Sequence, residues 1–269
     1  MIVKLVVCGA AGRMGRLLVG LIRETEGAAL AGAVEAEAHP ALGRDAGEIA
    51  GGGALGVTLT ADYASVAKPD TVTLDFTIAP AALAHLRTAA ARSAAIVVGT
   101  TGFSAEESRE AQALAGKTRT IIAANMSAGV NVLLKLVADA ARLLGPGFDP
   151  EISEVHHRMK VDAPSGTALA LGRAVAAARG LEFGRAAVLA REGLVGARRA
   201  DEIGVMALRG GDAVGDHTVY FLGHGERLEL THRAQSRECL ARGAVRAALW
   251  LAGQTKPGLY TMADVLGIK

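Results

Sequence analysis

The amino-acid sequence predicts an α/β protein with a doubly wound parallel sheet and an inserted α+β domain. Three features support this fold class: strands that alternate with helices up to residue 124, a glycine-rich turn directly after the first strand, and consecutive short strands after residue 186. The chain has 269 residues, of which 51% are hydrophobic and 3% aromatic. Aliphatic side chains must therefore fill the core, and the length allows one large domain or two modest ones.

The first part of the chain alternates short apolar runs with helical patterns. The predicted strands are 2–8, 28–35, 71–76, 94–98 and 120–124, and the predicted helices are 16–24, 80–93 and 105–115. Strands and helices at this spacing are typical of a parallel sheet covered by helices on both faces. The glycine-rich residues 36–56 are expected to form a loop.

The pattern changes after residue 125. The predicted helices are then 130–144, 168–179 and 237–252, and the predicted strands are 151–155, 188–191, 204–209, 217–222 and 227–231. Successive strands without intervening helices indicate an antiparallel or mixed sheet. We therefore expect residues 1–127 and 236–269 to form one domain, with residues 128–235 inserted and the last helix packing back on the first domain.

A glycine motif follows the first predicted strand. Residues 9–15 have the spacing G-x-x-G-x-x-G, which is close to the fingerprint of dinucleotide-binding, Rossmann-type folds. Small residues let the backbone turn sharply and approach a pyrophosphate, whose charge is met by amides at the helix N-terminus. Glu35 ends the second strand, where a carboxylate can accept hydrogen bonds from the adenine ribose. The alternative is a glycine-rich turn of an unrelated α/β protein.

The residues after the second strand bear on the choice of cofactor. Glu35, Ala36 and Glu37 offer two carboxylates and no basic group. Because a 2′-phosphate needs a cation at this position, the sequence favours NADH over NADPH. Arg13 could still reach a 2′-phosphate, so use of both cofactors stays open.

Two further turns end strands of the same predicted sheet. Residues 99–102 read Gly-Thr-Thr-Gly, and residues 123–126 read Ala-Ala-Asn-Met. Ligands of open α/β sheets bind outside the carboxyl ends of the strands. Each turn alone is an ordinary strand-to-loop connection, but their shared placement predicts that both line the nicotinamide side of a cofactor site.

The segment 154–168 is the most informative stretch of the chain. His156 and His157 are neighbours, so their side chains point in different directions and are expected to have different roles. Lys160 supplies a proton or a positive charge, and the turn at Ser165 precedes a helix whose first amides favour a carboxylate. Each feature alone is usually structural. Together, in a chain with a dinucleotide fingerprint, they predict a site for a small substrate with carboxylates.

Other classes of site and protein are disfavoured. The segment lacks a third ligand at zinc spacing, and the sequence has no G-x-S-x-G elbow of a hydrolase. The net charge of +2, from 29 basic and 27 acidic residues, argues against nucleic-acid or membrane binding. The two cysteines, Cys8 and Cys239, form no disulfide framework. We expect no metal, a buried Cys8 thiol and a cytoplasmic location.

At these residues the chain resembles the 4-hydroxy-tetrahydrodipicolinate reductase family, long called dihydrodipicolinate reductase. The resemblance extends over essentially the whole chain. It is carried by residues 9–15, 75–77, 99–103, 123–125, 154–167 and 209–212. The segment 154–167 is highly specific to the family, whereas the glycine turn alone is not. Two positions depart from the family pattern: Ala36 stands where many relatives have a basic residue, and Met126 where relatives often have an aromatic one.

The resemblance implies an activity and a set of site residues. The family reduces 4-hydroxy-tetrahydrodipicolinate, a small heterocyclic dicarboxylate, to tetrahydrodipicolinate with NADH or NADPH in diaminopimelate and lysine biosynthesis. The resemblance implies that His156 donates or accepts a proton, that Lys160 donates one, and that His157 holds a substrate carboxylate with the backbone of Gly166 and Thr167. The implied cofactor contacts are Gly9, Ala10, Ala11, Gly12, Arg13, Met14, Glu35, Gly99, Thr100, Thr101, Ala123, Ala124, Asn125 and Met126.

The same resemblance implies a mechanism and an assembly. Loss of water from the substrate gives a conjugated imine, hydride is added to ring carbon four, and a proton from the region of His156 and Lys160 completes the reduction. The second domain, residues 128–235, would bind the substrate and assemble a homotetramer through its sheet. Residues 1–127 and 236–269 would bind the dinucleotide.

Two alternatives remain open from the sequence. One is another Rossmann-type reductase with an inserted domain, such as a semialdehyde or sugar dehydrogenase. An acylating semialdehyde dehydrogenase needs a catalytic cysteine, and neither Cys8 in the first strand nor Cys239 in the last helix fits that role. The other is a nucleotide-sensing binding module, which would not need the cluster from His156 to Lys160.

Overall fold

Two β-sheets organise the chain. The computed structural model of the protein describes residues 2–268, in which the chain forms twelve strands and ten α-helices. The strands are β1 (Val3–Cys8), β2 (Ala28–Val34), β3 (Leu59–Thr60), β4 (Thr71–Asp75), β5 (Ala95–Val98), β6 (Arg119–Ile122), β7 (Asp149–His156), β8 (Ala187–Val188), β9 (Ile203–Arg209), β10 (Gly215–Leu222), β11 (Arg227–Ala234) and β12 (Gly258–Tyr260). The helices are α1 (Arg13–Glu24), α2 (Ala46–Ile49), α3 (Tyr63–Val66), α4 (Ala79–Arg92), α5 (Ala105–Ala115), α6 (Ala128–Leu144), α7 (Gly166–Ala178), α8 (Phe183–Ala186), α9 (Glu238–Ala252) and α10 (Met262–Leu266).

The chain divides into two compact units. The first unit runs up to Ala128 and resumes at Glu238, and the second unit is Gly129–Arg237. The first unit holds a seven-stranded sheet in the order β12-β6-β5-β4-β1-β2-β3, in which each neighbouring pair is parallel. This parallel sheet confirms the predicted doubly wound, Rossmann-type fold class.

The first sheet is covered on both faces because its strands are apolar on both faces. In β1, Leu5 and Val7 pack with residues of α1 and α9 such as Leu18 and Ala244. The alternate residues Val6 and Cys8 pack on the opposite face with residues of α4 such as Leu86. This division follows the two-residue period of a strand. The final long helix, α9, thus belongs to the first unit.

The second unit has a mixed sheet in the order β11-β10-β7-β9-β8. Strand β10 is antiparallel to both β7 and β11, whereas β9 is parallel to β7 and to β8. One face of this sheet packs against α6 and α7 through side chains such as Val137, Leu171 and Ile152. The predicted mixed arrangement is therefore confirmed.

Several element boundaries differ from the sequence predictions. Helix α1 begins at Arg13 rather than residue 16, because Gly12 adopts extended backbone directly before it. The predicted strand 188–191 was wrong at its end, since only Ala187–Val188 pairs with β9 and Arg191 instead binds Glu151. The predicted loop 36–56 contains the short helix α2, which Asp45 caps. Elements β3, α3, α8, β12 and α10 were not predicted. None of the helices within residues 2–268 is long and apolar enough to span a membrane.

Candidate active site

The glycine turn after β1 is shaped by close backbone packing. A Cβ atom at Gly15 would lie 2.0 Å from the carbonyl oxygen of Gly9, so this position accepts only glycine. Because α1 begins at Arg13, its N-terminus lies within the turn. The amides at a helix N-terminus favour a bound anion, as the sequence analysis expected for residues 9–14.

Glu35 is connected to the same turn. Its Oε1 accepts a hydrogen bond from the Ala11 backbone N–H at 2.8 Å, and its Oε2 accepts one from the Ala36 N–H at 3.2 Å. Glu35 was predicted to bind ribose hydroxyls, and the structure shows that it also fixes the turn. Each carboxylate oxygen accepts more than one hydrogen bond, so both roles are compatible.

A pocket of about 630 Å³ lies at the carboxyl ends of β1, β2 and β4. Its lining includes Gly9, Glu35, Ala36, Glu37, Thr77 and His85. This volume is in the usual range for sites that hold small molecules and cofactors. Glu35, Ala36 and Glu37, from which the cofactor preference was predicted, all line this pocket. His85 lines it as well, although it was not predicted as a site residue.

Asp75 organises the turn at the end of β4. The side chain is buried, and its Oδ1 accepts hydrogen bonds from the Thr77 N–H at 3.0 Å, the Thr77 hydroxyl at 2.7 Å and the Thr100 hydroxyl at 3.1 Å. Its Oδ2 lies 2.6 Å from His85 Nδ1. Asp75 therefore joins the β4 turn, the turn after β5 and helix α4 around the pocket.

Cys8 is a further member of this group. Its sulfur, one Asp75 oxygen and one His85 nitrogen lie within 4.8 Å of one another, a spacing that a metal ion could bridge. Burial, together with the nearby carboxylates of Asp75 and Glu35, raises the pKa of the Cys8 thiol well above its ordinary value. Cys8 is thus a buried thiol beside the hydrogen-bonded pair of Asp75 and His85.

The turns at residues 99–102 and 123–126 were both predicted to line a cofactor site, but the Thr100 and Met126 side chains point into the protein. The Thr100 hydroxyl is directed inward to Asp75, whereas Thr101 is exposed. The side chain of Met126, expected in the wall of a nicotinamide pocket, is 1% exposed and packs in the apolar core. Asn125 Oδ1 accepts a hydrogen bond from the Ser127 N–H at 2.9 Å, which holds the turn after β6. Backbone groups of these turns are therefore better placed for a ligand than the Thr100 or Met126 side chains.

The second unit carries a polar cluster at the end of its core face. Along β7, Ile152, Glu154 and His156 point to the same buried face, as the strand period requires. Opposite them on β10, Val219 pairs with Ile152, and His217 pairs with Glu154. The core face thus changes from apolar to polar toward the carboxyl end of β7, where the predicted catalytic segment begins.

His156 is the last residue of β7 and is 9% exposed. Its Nδ1 lies 2.6 Å from Glu154 Oε2, and its ring meets the His217 ring edge-on, with 5.2 Å between centroids. Arg209 on β9 is its neighbour in register. His156 therefore lies in a fixed position, with one ring nitrogen bound within the protein.

His157 and Lys160 lie in the loop that follows. The backbone N–H of His157 donates to the Ala213 carbonyl at 2.8 Å, and the N–H of Lys160 donates to the His157 carbonyl at 3.0 Å. Lys160 Nζ donates to both oxygens of Asp162, at 2.8 and 2.9 Å. The Lys160 ammonium thereby lowers the pKa of Asp162. This pairing, which was not predicted from the sequence, keeps Lys160 near a carboxylate.

Helix α7 begins where the sequence predicted a capped helix. Ser165 is the N-cap, and its Oγ accepts from the Ala168 N–H at 3.1 Å. Gly166 and Thr167 are the first two helical residues, so their amides lie at the positive end of the helix. The structure therefore brings His156, His157, Lys160 and this helix start together within the second unit.

His217 is the buried neighbour of this group. Its Nε2 lies 3.0 Å from Ser165 Oγ, and its Nδ1 has no hydrogen-bond partner among the described residues. Burial and the proximity of His156 lower the pKa of His217 to about 4, against a partial opposite effect of Glu154. At neutral pH His217 is therefore uncharged.

Comparisons with known proteins match both units. The sequence model described as "Dihydrodipicolinate reductase, N-terminus" matches residues 3–126, and that described as "Dihydrodipicolinate reductase, C-terminus" matches residues 129–266. The chain belongs to the dihydrodipicolinate reductase family. The 4-hydroxy-tetrahydrodipicolinate reductases of Pelobacter propionicus and Syntrophobacter fumaroxidans are 52% and 54% identical to it, each over 99% of this chain and 100% of the relative.

Two solved structures share the fold of this chain. A dipicolinate-bound dihydrodipicolinate reductase from Paenisporosarcina sp. TG-14 superimposes with a TM-score of 0.75 at 21% identity, covering 98% of this chain and 99% of that one. An amine dehydrogenase from Mycobacterium smegmatis gives a TM-score of 0.60 at 16% identity, covering 97% and 95% of the two chains.

Several residues of this dihydrodipicolinate reductase family member escaped the sequence analysis as site residues. They are Glu154, Arg209, Gly215 and His217 in the second unit, and Asp75 and His85 in the first. A charged residue two positions after an apolar one in a strand, as Glu154 after Ile152, was the available signal, because a charge on a core face must have a partner. Nothing in the local sequence links Arg209 or Gly215 to His156, since strand pairing alone brings them together.

Proposed function

We propose that this chain reduces 4-hydroxy-tetrahydrodipicolinate to tetrahydrodipicolinate with NADH or NADPH, in the biosynthesis of diaminopimelate and lysine. The observation that carries the proposal is the cluster of His156, His157, Lys160 and the start of α7 in a chain about half identical to reductases with this name over nearly its full length. The polar cluster suits a small dicarboxylate, and the glycine turn suits a dinucleotide.

The residues of the first unit fit a dinucleotide. Gly15 lets the start of α1 pack closely against the backbone of Gly9 and Ala10, and Glu35 borders a pocket large enough for an adenosine. The proposed contacts are Gly9 to Met14, Glu35, the backbone at Gly99 to Thr101, and the turn Ala123 to Met126. When bound, the nicotinamide supplies a hydride.

The residues of the second unit handle charge and protons. His157 and the amides of Gly166 and Thr167 bind the two substrate carboxylates, since a helix N-terminus favours anions. Lys160 adds positive charge, and a substrate carboxylate competes with Asp162 for its ammonium group. The substrate loses water to form a conjugated imine, which gains one hydride at ring carbon four and one proton. We assign proton donation to Lys160, and proton donation or acceptance to His156; the positive charge of Lys160 also stabilises the transition state.

We further propose that NADH is preferred over NADPH. The pocket beside Glu35 is lined by two carboxylates, and His85 is the basic side chain among its described lining residues. The imidazole of His85 is already bound to the buried Asp75, so it offers little net positive charge to a 2′-phosphate. The ratio of kcat/KM for the two cofactors tests this preference, and a strong preference for NADPH would overturn it.

We also propose that the protein is a homotetramer formed through the second unit. Leu208 and Leu222 are 51% and 38% exposed on the face of the second sheet opposite the core face, and exposed apolar side chains on a sheet face support association. Sedimentation at assay concentrations tests the assembly, and a monomer under those conditions would contradict it.

The activity itself is tested by following cofactor oxidation with freshly generated 4-hydroxy-tetrahydrodipicolinate. We expect oxidation of NADH only when this substrate is present. A matched reaction with semialdehydes or cyclic polyols separates this activity from that of other Rossmann-type dehydrogenases. Binding of NADH without turnover of any of these compounds would indicate a nucleotide-binding module instead.

A further inference from the structure

Glu154 is an acidic group on the core face of β7, and its side chain is 0% exposed. An ionised carboxylate in such a place is strongly disfavoured unless hydrogen-bond donors surround it. Burial would raise the pKa of Glu154, but hydrogen bonds from Arg209, from His156 and from the Ser165 N–H outweigh burial and lower it. The carboxylate is therefore ionised at neutral pH.

Four N–H groups surround the two oxygens of Glu154. Oε2 lies 2.6 Å from His156 Nδ1 and accepts a hydrogen bond from Arg209 Nη1 at 2.7 Å. Oε1 accepts hydrogen bonds from the Ser165 backbone N–H and from Arg209 Nη2, both at 2.9 Å. Because an ionised carboxylate has no proton to donate, the proton between Glu154 and His156 belongs to His156 Nδ1.

The space around the other ring nitrogen of His156 supports the same conclusion. Gly215 faces the ring from β10, and a Cβ atom there would lie 2.9 Å from His156 Nε2. A larger residue would press on this nitrogen, whereas glycine leaves room beside it. Nε2 is thus the nitrogen left to exchange a proton, and Nδ1 is the nitrogen held by the protein.

Arg209 extends the network to the loop that carries Lys160. Its Nη2 donates to the Asp162 carbonyl at 2.6 Å, and the Asp162 carboxylate binds Lys160. The Glu154 carboxylate thus contacts the His156 ring and the backbone N–H of Ser165, the residue before α7. Through Arg209 it is also connected to the loop that carries Lys160. In the proposed function, these three parts of the second unit transfer protons or bind the substrate carboxylates.

We propose that Glu154 is a positioning residue for His156. It keeps the His156 proton on Nδ1 and Nε2 available to the substrate, and it fixes the ring relative to the start of α7. A carboxylate that orients a histidine in this way also strengthens the histidine as a base. The inference rests on the proposed function only for the claim that His156 transfers a proton during reduction.

Glu154→Gln in the full-length protein tests the tautomer directly. A glutamine keeps one accepting oxygen and replaces the other with an NH₂ group. This NH₂ group must face the donors that bonded to the oxygen it replaces. Arg209 and the Ser165 N–H cannot become acceptors, whereas His156 Nδ1 can, by moving its proton to Nε2. With ¹⁵N-labelled histidine, assigned by comparison with His156→Asn, we expect the Nδ1–H form in the native protein and the Nε2–H form in the variant.

The same variant has an expected effect on catalysis. When the His156 proton is on Nε2 instead of Nδ1, kcat should fall by about 10²-fold or more, while the dissociation constant of NADH stays unchanged. Glu154→Asp keeps the negative charge and should restore the Nδ1–H form and part of kcat. A simple loss of packing would not restore the tautomer in this way.

Glu151→Gln is the matched control. Glu151 lies on the same strand, also binds arginines through both oxygens, at 2.8 and 2.7 Å to Arg191, and points away from His156. This control should lose stability but keep the Nδ1–H form of His156 and normal kcat. If both variants lower kcat equally, the role of Glu154 is only structural.

The outcomes separate this inference from the proposed function. If the native protein itself shows the Nε2–H form of His156, the inference is wrong, even if Glu154→Gln does not fold. If Glu154→Gln keeps the Nδ1–H form and normal kcat while His156→Ala is inactive, the inference is also wrong, but the proposed function stands. If the tautomer switches as expected and no variant changes turnover, His156 does not transfer the proton; the catalytic role given to His156 is then wrong, while the reduction itself stands.

Discussion

Gly215 controls how closely β10 can approach His156. We expect Gly215→Ala to push the imidazole away from Glu154, because the new Cβ would lie 2.9 Å from Nε2. Overpacking of this kind costs about 1–3 kcal/mol, and kcat should fall as well. Gly223→Ala, just beyond the other end of β10, is the control, since its Cβ would meet the Phe148 ring at 2.6 Å. Equal kcat in the two variants would contradict the account.

Ala36 is the single residue at which cofactor choice is most easily changed. Ala36→Arg would place a guanidinium beside Glu35, where a 2′-phosphate of NADPH would bind. A hydrogen bond to a charged group contributes about 1.5–3 kcal/mol, so kcat/KM for NADPH should rise about 10- to 100-fold relative to NADH. Ala36→Gln, which adds size without charge, should leave the ratio nearly unchanged. An unchanged ratio in Ala36→Arg would mean that another group sets the preference.

Ser165, the N-cap of α7, contributes both to the stability of this helix and to the candidate site. Ser165→Ala removes the cap on the Ala168 N–H and the hydrogen bond to His217 Nε2. We expect a loss of about 0.5–2 kcal/mol in the free energy of unfolding, and a higher KM for the substrate because the amides of Gly166 and Thr167 shift. Ser104→Ala, the cap of α5 in the first unit, should lower stability without raising that KM.

Elements with strong local signals were predictable from the sequence, and those set by distant contacts were not. The alternation of apolar strands with helices predicted the parallel sheet, and Ser165 before an apolar helix predicted the start of α7 to within two residues. The short strand β12 was missed because it exists only by pairing with β6. In the site, His156 and Lys160 stand together in sequence, whereas Arg209 and Gly215 reach His156 only through the register of β9 and β10.

At the scale of the whole molecule, buried groups of the second unit make stability depend on pH. Burial lowers the pKa of His217 to about 4 and also lowers that of His232. The folded state therefore resists protonation that the unfolded chain accepts from pH 6.5 downward. Stability is complete above that value and is lost as the pH falls toward about 4. Glu151 and Glu154 add to the loss below their ordinary value of 4.5, because their pKa values are lowered in the folded protein.

Calorimetry across this range checks the expected dependence. The midpoint of unfolding should fall steadily from pH 6.5 to 4, and His217→Phe should flatten the part of the curve above 4.5. Glu151→Gln should affect only the more acidic part. A midpoint independent of pH between 6.5 and 4 would contradict the burial of neutral His217.

The most direct test of the central claim compares native protein with His156→Ala in the reduction of freshly generated 4-hydroxy-tetrahydrodipicolinate. Loss of a residue that transfers a proton lowers the rate by about 10²- to 10⁴-fold. We predict a fall of this size in kcat, with the dissociation constant of NADH unchanged because the proposed dinucleotide contacts lie in the first unit. Turnover near the native rate in His156→Ala would contradict the account.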